Sequence, residues 1–257
     1  MNLQDMMYNR KGFIHHPETP PEDKAFYVHH KSKAHQLLQI GKDFIDNEGV
    51  LSHRSLPRGK EEFGSNSKYL HRGVYCPSPV LDILISNSKR GKILVRPSNR
   101  SHITNRYVYD TSGRLLFLDD YIDDKMVSSE YLIYVENFIY GVTIGMNGKV
   151  LSVSEEVYNN GILEDYICAY FAEDTTGLYC FEMHCEKYYY DQLGLLDWSY
   201  YMLYYSWEQL APSGFIEHKR FRFTREDGWL KSFYRVNHDG SPIAGSAVTQ
   251  IKMKRKA

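Results

Sequence analysis

From Val80 onward, apolar segments of strand length alternate with short clusters of Gly, Asn, Asp and Ser. The run Ser86-Asn87-Ser88-Lys89-Arg90-Gly91 separates Val80-Leu81-Asp82-Ile83-Leu84-Ile85 from Lys92-Ile93-Leu94-Val95 and predicts a hairpin. Further turns are expected at Thr111-Ser112-Gly113, Asp123-Asp124-Lys125, Glu136-Asn137, Asn147-Gly148, Asn159-Asn160-Gly161, Thr175-Thr176-Gly177, Gln192-Leu193-Gly194, Pro212-Ser213-Gly214, Glu226-Asp227-Gly228 and His238-Asp239-Gly240. The stretches between them are about ten residues long, which suits strands. Tight turns force successive strands to lie side by side. The expected fold is therefore mainly β, an antiparallel meander of tandem hairpins with roughly ten strands, as a single large sheet or an open barrel.

Within the segments the alternation has a period of two, as in Tyr131, Ile133 and Val135 against Leu132, Tyr134 and Glu136. The run Trp198-Ser199-Tyr200-Tyr201-Met202-Leu203-Tyr204-Tyr205-Ser206-Trp207 has hardly any polar relief. Such a strand is either covered on both faces or presents a tyrosine-lined surface to a partner. Residues 1–75 differ from the meander of 76–257 in being polar, His-containing and broken by Pro17, Pro20, Pro21 and Pro57, and they read as a small irregular N-terminal region. Its one helix is expected over Lys24–Ile45, where Phe26, His30, Leu37, Leu38, Ile40, Phe44 and Ile45 gather on one face before Asn47-Glu48-Gly49 stops it. Gly59–Ser67 reads as loop.

Composition supports sheet over helix bundle. The chain of 257 residues holds 22 Tyr, 12 Phe and 3 Trp, and tyrosine suits a half-exposed pleated surface. A net charge of -1 produces no field that would steer the molecule toward nucleic acid or an anionic membrane. The basic end Lys252-Met253-Lys254-Arg255-Lys256 reads as a solvated tail. Four cysteines are too few for a disulfide scaffold, no apolar signal core opens the chain, and no run approaches a membrane span, so a reduced, cytoplasmic protein is expected.

Two segments share one spacing. Tyr107-Val108-Tyr109-Asp110-Thr111-Ser112-Gly113-Arg114-Leu115 is echoed by Tyr188-Tyr189-Tyr190-Asp191-Gln192-Leu193-Gly194-Leu195-Leu196, and more faintly by Phe221–Leu230. The first copy resembles the YD repeat of Rhs and teneurin-like bacterial shells, Tyr-x-Tyr-Asp-x-x-Gly-Arg-Leu. The second lacks the Arg after Gly, and the third keeps only the aromatics, Gly and Leu. Those shells are much longer and enclose a toxin. A small meander of this look is similar instead to the immunity and antitoxin proteins of bacterial polymorphic toxin systems, which implies binding of one cognate toxin domain and no catalytic residue.

Candidate chemistry is sparse. His15-His16, His29-His30 and His35 offer no third or fourth converging ligand and read as surface histidines, so neither a metal nor a cofactor is expected. Cys180, His184 and Cys185 suggest a thiolate with an imidazole, but on a strand Cys185 points away from the other two, and a buried structural thiol is the plainer reading. Asp119-Asp120, Asp123-Asp124 and Glu155-Glu156 could form an acid–base pair, yet solvated strand ends account for them. Lys219, Arg220, Arg222, Arg225 and Lys231 interleave with Phe221, Phe223, Trp229, Phe233 and Tyr234, a pattern that can hold nucleic acid but equally a hairpin whose charges face water.

The sequence thus points to a non-enzymatic protein-binding module whose interface is expected to involve Tyr188, Tyr190, Trp198, Tyr200, Tyr204, Trp207, Arg220, Arg222 and Trp229, because Tyr, Trp and Arg dominate hot spots. The alternatives are a hydrolase-like enzyme with acidic and His residues at strand ends, or a fragment of a larger secreted YD-repeat protein.

Overall fold

The computed structural model of the protein describes residues 19–65, 70–79, 81, 90–95, 103–175, 177–207, 211–226 and 229–244; at 207, 211–215, 226 and 229–231 it describes the backbone alone. Two helices, α1 (Pro21–Asp46) and α2 (Gly49–Ser55), precede β1 (Arg58–Ser65) and a single 3-10 turn at Gly73–Tyr75. The strands then follow as β2 (Lys92–Ile93), β3 (Asn105–Asp110), β4 (Leu115–Ile122), β5 (Lys125–Val135), β6 (Phe138–Gly145), β7 (Val150–Asn159) and β8 (Ile162–Asp174). The last four are β9 (Gly177–Tyr190), β10 (Leu196–Trp207), β11 (Ala211–Glu226) and β12 (Trp229–Val236). They form one sheet in the order β12-β11-β10-β9-β8-β7-β6-β5-β4-β3-β1-β2, the meander the turn spacing predicts. No described helix is long and apolar enough to cross a membrane.

The turns explain the repeat. Residues 110–114, 145–149, 191–195 and 237–241 close with one bond pattern: the first residue donates its N–H to the carbonyl of the fifth, and the fourth donates to the carbonyl of the first. The fourth residue is always glycine with positive φ (Gly113 86°, Gly148 77°, Gly194 73°, Gly240 82°), which makes each a three-residue hairpin loop with a G1 bulge. In two of them an aspartate at the first position caps the loop: Asp110 Oδ1 accepts from Ser112 N (2.8 Å) and Arg114 N (2.9 Å), and Asp191 Oδ1 from Leu193 N and Leu195 N (both 2.9 Å). In the other two the cap has moved two positions on, to Asn147 and Asp239. The YD spacing is therefore a turn rule written into side chains.

Two expectations are corrected, and a third falls mostly outside the described residues. In the segment expected as loop over Gly59–Ser67, the described residues 59–65 are strand, because β1 pairs with both β2 and β3. Most of the predicted 80–95 hairpin lies outside the described residues, and its second arm contributes only β2, which pairs with β1. Pro212-Ser213-Gly214 is not the β10–β11 turn. It lies inside β11, where the register passes from Tyr205↔Phe215 to Trp207↔Ala211, so three residues oppose one and the punctuation marks a bulge.

Helix α1 opens with Pro21 at its first position and Glu22 and Asp23 in its first turn, residues that suit unpaired N–H groups and the positive helix end. Its buried stripe is Asp23, Tyr27, His30, Ala34, Leu37, Gly41 and Phe44, spaced alternately by four and three residues. The chain forms two compact units: one drawn from Met1–Lys33, Val157–Ile167 and Cys180–Ala257, the other from Ala34–Glu156 and Cys168–Tyr179. In the first, Phe26 meets Tyr200 edge-on at 4.5 Å and Tyr27 meets Tyr204 at 5.4 Å. In the second, Phe44 packs on Tyr131 at 5.5 Å, and Gly41 lies so close to the sheet that a Cβ there would be 2.9 Å from Val153 Cγ2.

Candidate functional site

Burial sorts the expected interface residues. Tyr200 and Tyr204 lie under α1, and Tyr188 is buried with its hydroxyl donating to Glu186 (2.8 Å), so these three are core residues and not surface anchors. Arg220 turns inward to Asp23 Oδ1 at 2.8 Å. The side chains of Trp207 and Trp229 lie outside the described residues. Tyr190, Trp198 and Arg222 remain half-exposed; Tyr190 donates to the Leu163 carbonyl (2.5 Å), and Arg222 pairs with Asp197 (2.6 Å).

The register shows what the three have around them. Trp198 opposes Tyr189 on one side and Arg222 on the other, and Arg222 opposes Tyr234. Tyr189, Trp198, Arg222 and Tyr234 thus form one row across four strands, on the face that carries Tyr200 but nearer the β9–β10 turn. Tyr189 and Trp198 are stacked in parallel at 3.7 Å. The basic strand offers little free charge for phosphates, since Lys219 pairs with Glu217, Arg220 with Asp23 and Arg222 with Asp197.

Other candidates are settled locally. His30 is buried and not a surface histidine: its Nδ1 lies 2.8 Å from the Phe26 carbonyl, and burial pushes its pKa down to about 4. His15 and His16 lie outside the described residues, and among those described no three ligating side chains gather as a metal site would need. His184 sits between the Tyr201 hydroxyl (2.9 Å) and Glu182 Oε1 (2.6 Å), Cys185 is buried, and no disulfide joins the four cysteines.

The acidic pairs overturn the expectation of solvated strand ends. Only Asp123-Asp124 is an exposed turn; Asp119, Glu155 and Glu156 are buried, and Asp120 lines a cavity. This cavity, of about 280 Å³, lies in the second unit between residues 70–72 and one face of β3–β8. On that face Asp120 opposes Asn105 and Ser128, with Glu130 diagonal to it. Tyr107, the first tyrosine of the YD motif, holds the far wall in place. Its hydroxyl donates to the Arg72 carbonyl (3.2 Å) and accepts from Val74 N (3.1 Å).

Arg72 and His71 project from that wall. Arg72 donates Nε to Glu130 (2.8 Å) and Nη2 to Ser154 (2.9 Å) and binds Glu156 through Nη1; His71 Nε2 lies 3.0 Å from Glu130 Oε1. Burial alone would raise the Glu130 pKa, but Arg72 and His71 outweigh it and bring it down to about 2. Asp120 behaves in the opposite way. Burial first, and the Glu130 charge second, push it up to about 7, although Ser128 Oγ (3.1 Å) and Asn105 Nδ2 (2.6 Å) donate to its oxygens. Its neighbour Asp119, on the opposite face, is met by Arg54 at 2.9 Å and Arg106 at 3.3 Å, whereas no described cation pairs with Asp120.

Two carboxyls with opposite shifts are the pattern of an acid–base pair. Here Glu130 is engaged by Arg72, His71 and Ser154 (3.4 Å), whereas Asp120 is held by Asn105 and Ser128. No protein-family model matches the chain, and no curated protein matches it. Sequence reasoning missed His71, Arg72, Asn105, Ser128 and Glu130. The available signal was polar residues at alternate positions inside otherwise apolar strands, in Ser128-Ser129-Glu130 and Ser152-Val153-Ser154, which alone is indistinguishable from a wet face.

Proposed function

We propose that this protein is a non-enzymatic binding module that captures a partner protein, acting as a bacterial immunity protein against one cognate toxin domain in the cytoplasm. The observation that supports this reading is the row Tyr189–Trp198–Arg222–Tyr234, in which half-exposed aromatic rings and one guanidinium line up across four strands. Strand pairing fixes the row in advance, so little side-chain freedom is lost when a partner covers it. Asp197 beside Arg222 orients the guanidinium, whose side chain keeps 43% of its exposure. The resemblance of the hairpin motif to YD repeats adds the toxin as the expected class of partner.

The test is capture of partners from the native host on the immobilised chain, followed by calorimetry with the purified partner. Trp198→Ala and Arg222→Ala are expected to weaken binding by about 2 kcal/mol or more each, with unfolding midpoints that still report a folded protein. Recovery of no protein partner, or a folded Trp198→Ala variant that binds as well as the parent, rejects the proposal.

A further inference from the structure

We propose that the cavity beside Asp120 binds a small organic cation, an amine or guanidinium on a short apolar body, with the Asp120 carboxylate as its anchor. This site is separate from the partner surface and does not depend on it.

Charge within the cavity is incomplete. Glu130 and Glu156 are met by the Arg72 guanidinium and the His71 ring, so the cationic groups of the buried network are already engaged before Asp120 is counted. Asp120 adds a third acid, held by Asn105 and Ser128 donors that fix its orientation without neutralising it. The Arg72 Nε, Nη1 and Nη2 groups are directed to Glu130, Glu156 and Ser154, so its charge is engaged there and not at Asp120. A metal ion would need further ligands, and no group of three is present among the described residues. A monovalent organic cation meets both conditions. It supplies the missing charge and needs one carboxylate.

The rest of the lining describes the ligand's body. Leu70, Val127 and Leu151 give apolar contact, and Tyr121 and Tyr170 add aromatic rings. A volume of about 280 Å³ is at or below the small end of ligand cavities, which suits a molecule of amino-acid size. Burial and the charges of Glu130 and Asp119 raise the proton affinity of Asp120, and the Ser128 and Asn105 donors lower it; the other titratable and charged groups lining the cavity are Tyr121 on its own strand, His71 and Arg72 across from it, and Tyr170 on β8. Below neutrality a proton occupies the anchor, so proton and ligand compete.

The test is calorimetric titration of the full chain with benzylamine, cadaverine and agmatine, using benzoate and benzyl alcohol as anionic and neutral controls. At least one amine is expected to bind saturably, with affinity rising about tenfold per pH unit below pH 7 and levelling off above it. Asp120→Asn is expected to reduce that affinity at least tenfold at pH 8. Three results overturn the proposal: no saturable binding of any of the amines at about 10 mM, controls that bind as well as the amines, or an affinity that is flat with pH in the parent protein. The pH series uses the parent chain alone, so it stands whether or not the variant folds.

Discussion

Gly141 shows how tightly a single residue is fixed here. A Cβ built on it would stand 1.9 Å from Glu130 Oε1, 2.5 Å from Arg72 Nη2 and 2.6 Å from Ser154 Oγ. The strand opposite Glu130 has to be bare at this point for the Arg72 network to close. Gly141→Ala is expected to cost about 3 kcal/mol or more, because the clash falls on a buried ion network and not on a flexible chain end. Urea unfolding of the variant measures it, and a loss below about 1 kcal/mol would show that the network moves aside easily. Local rules could be read from sequence at this scale and long-range ones could not. Asp110 and Gly113 act within five residues, so their turn is visible in the letters. Arg72 meets Glu130 and Glu156 from 58 and 84 residues away, and nothing near Arg72 in the chain marks it as their partner.

At the scale of elements, the helix was legible because its periodicity is strong, but its buried stripe was only partly so. His30, Leu37 and Phe44 belong to it as expected, and Phe26, Leu38, Ile40 and Ile45 are only half-buried; Tyr27 was passed over, as were Asp23, Ala34 and Gly41, because a polar or small residue does not register as apolar. Asp23 is what joins α1 to β10 and β11, accepting from the Tyr200 hydroxyl (2.7 Å) and from Arg220 Nη2 (2.8 Å). Asp23→Ala leaves the Arg220 guanidinium without its carboxylate and the Tyr200 hydroxyl with His218 Nδ1 alone, and is expected to destabilise by about 3 kcal/mol. Tyr200→Phe keeps the ion pair and loses the bonds of the hydroxyl to Asp23 and to His218 Nδ1, for about 2 kcal/mol. Equal effects in urea unfolding would show that the ion pair contributes nothing beyond the hydroxyl. The bulge in β11 teaches the complementary lesson: Pro-Ser-Gly is a turn signal only where the strands end, and strand length is decided by pairing partners far away.

At the scale of the molecule, each compact unit is assembled from segments distant in sequence, and each buries ionisable groups whose titration reports on it. In the first unit His30 has a folded pKa of about 4, below its ordinary 6.5, so its stabilisation is present above pH 6.5 and is lost as pH falls through 4. In the second, Glu130 at about 2 acts the same way between 4.5 and 2, while Asp120 at about 7 acts in reverse. The folded state holds the Asp120 proton more tightly than the unfolded chain, so that stability is full below pH 3.8 and lost as pH rises through 7. Asp120→Asn removes this penalty, because an amide carries no charge in either state and its carbonyl oxygen still accepts from Asn105. The variant is therefore expected to be more stable than the parent at pH 8, by an amount on the order of a few kcal/mol, and to match it at pH 3.5. Urea unfolding at the two pH values decides the matter. A variant less stable than the parent at pH 8 would mean that the ionised Asp120 already has a favourable partner in the folded chain, and the vacancy in charge argued for the cavity would not exist.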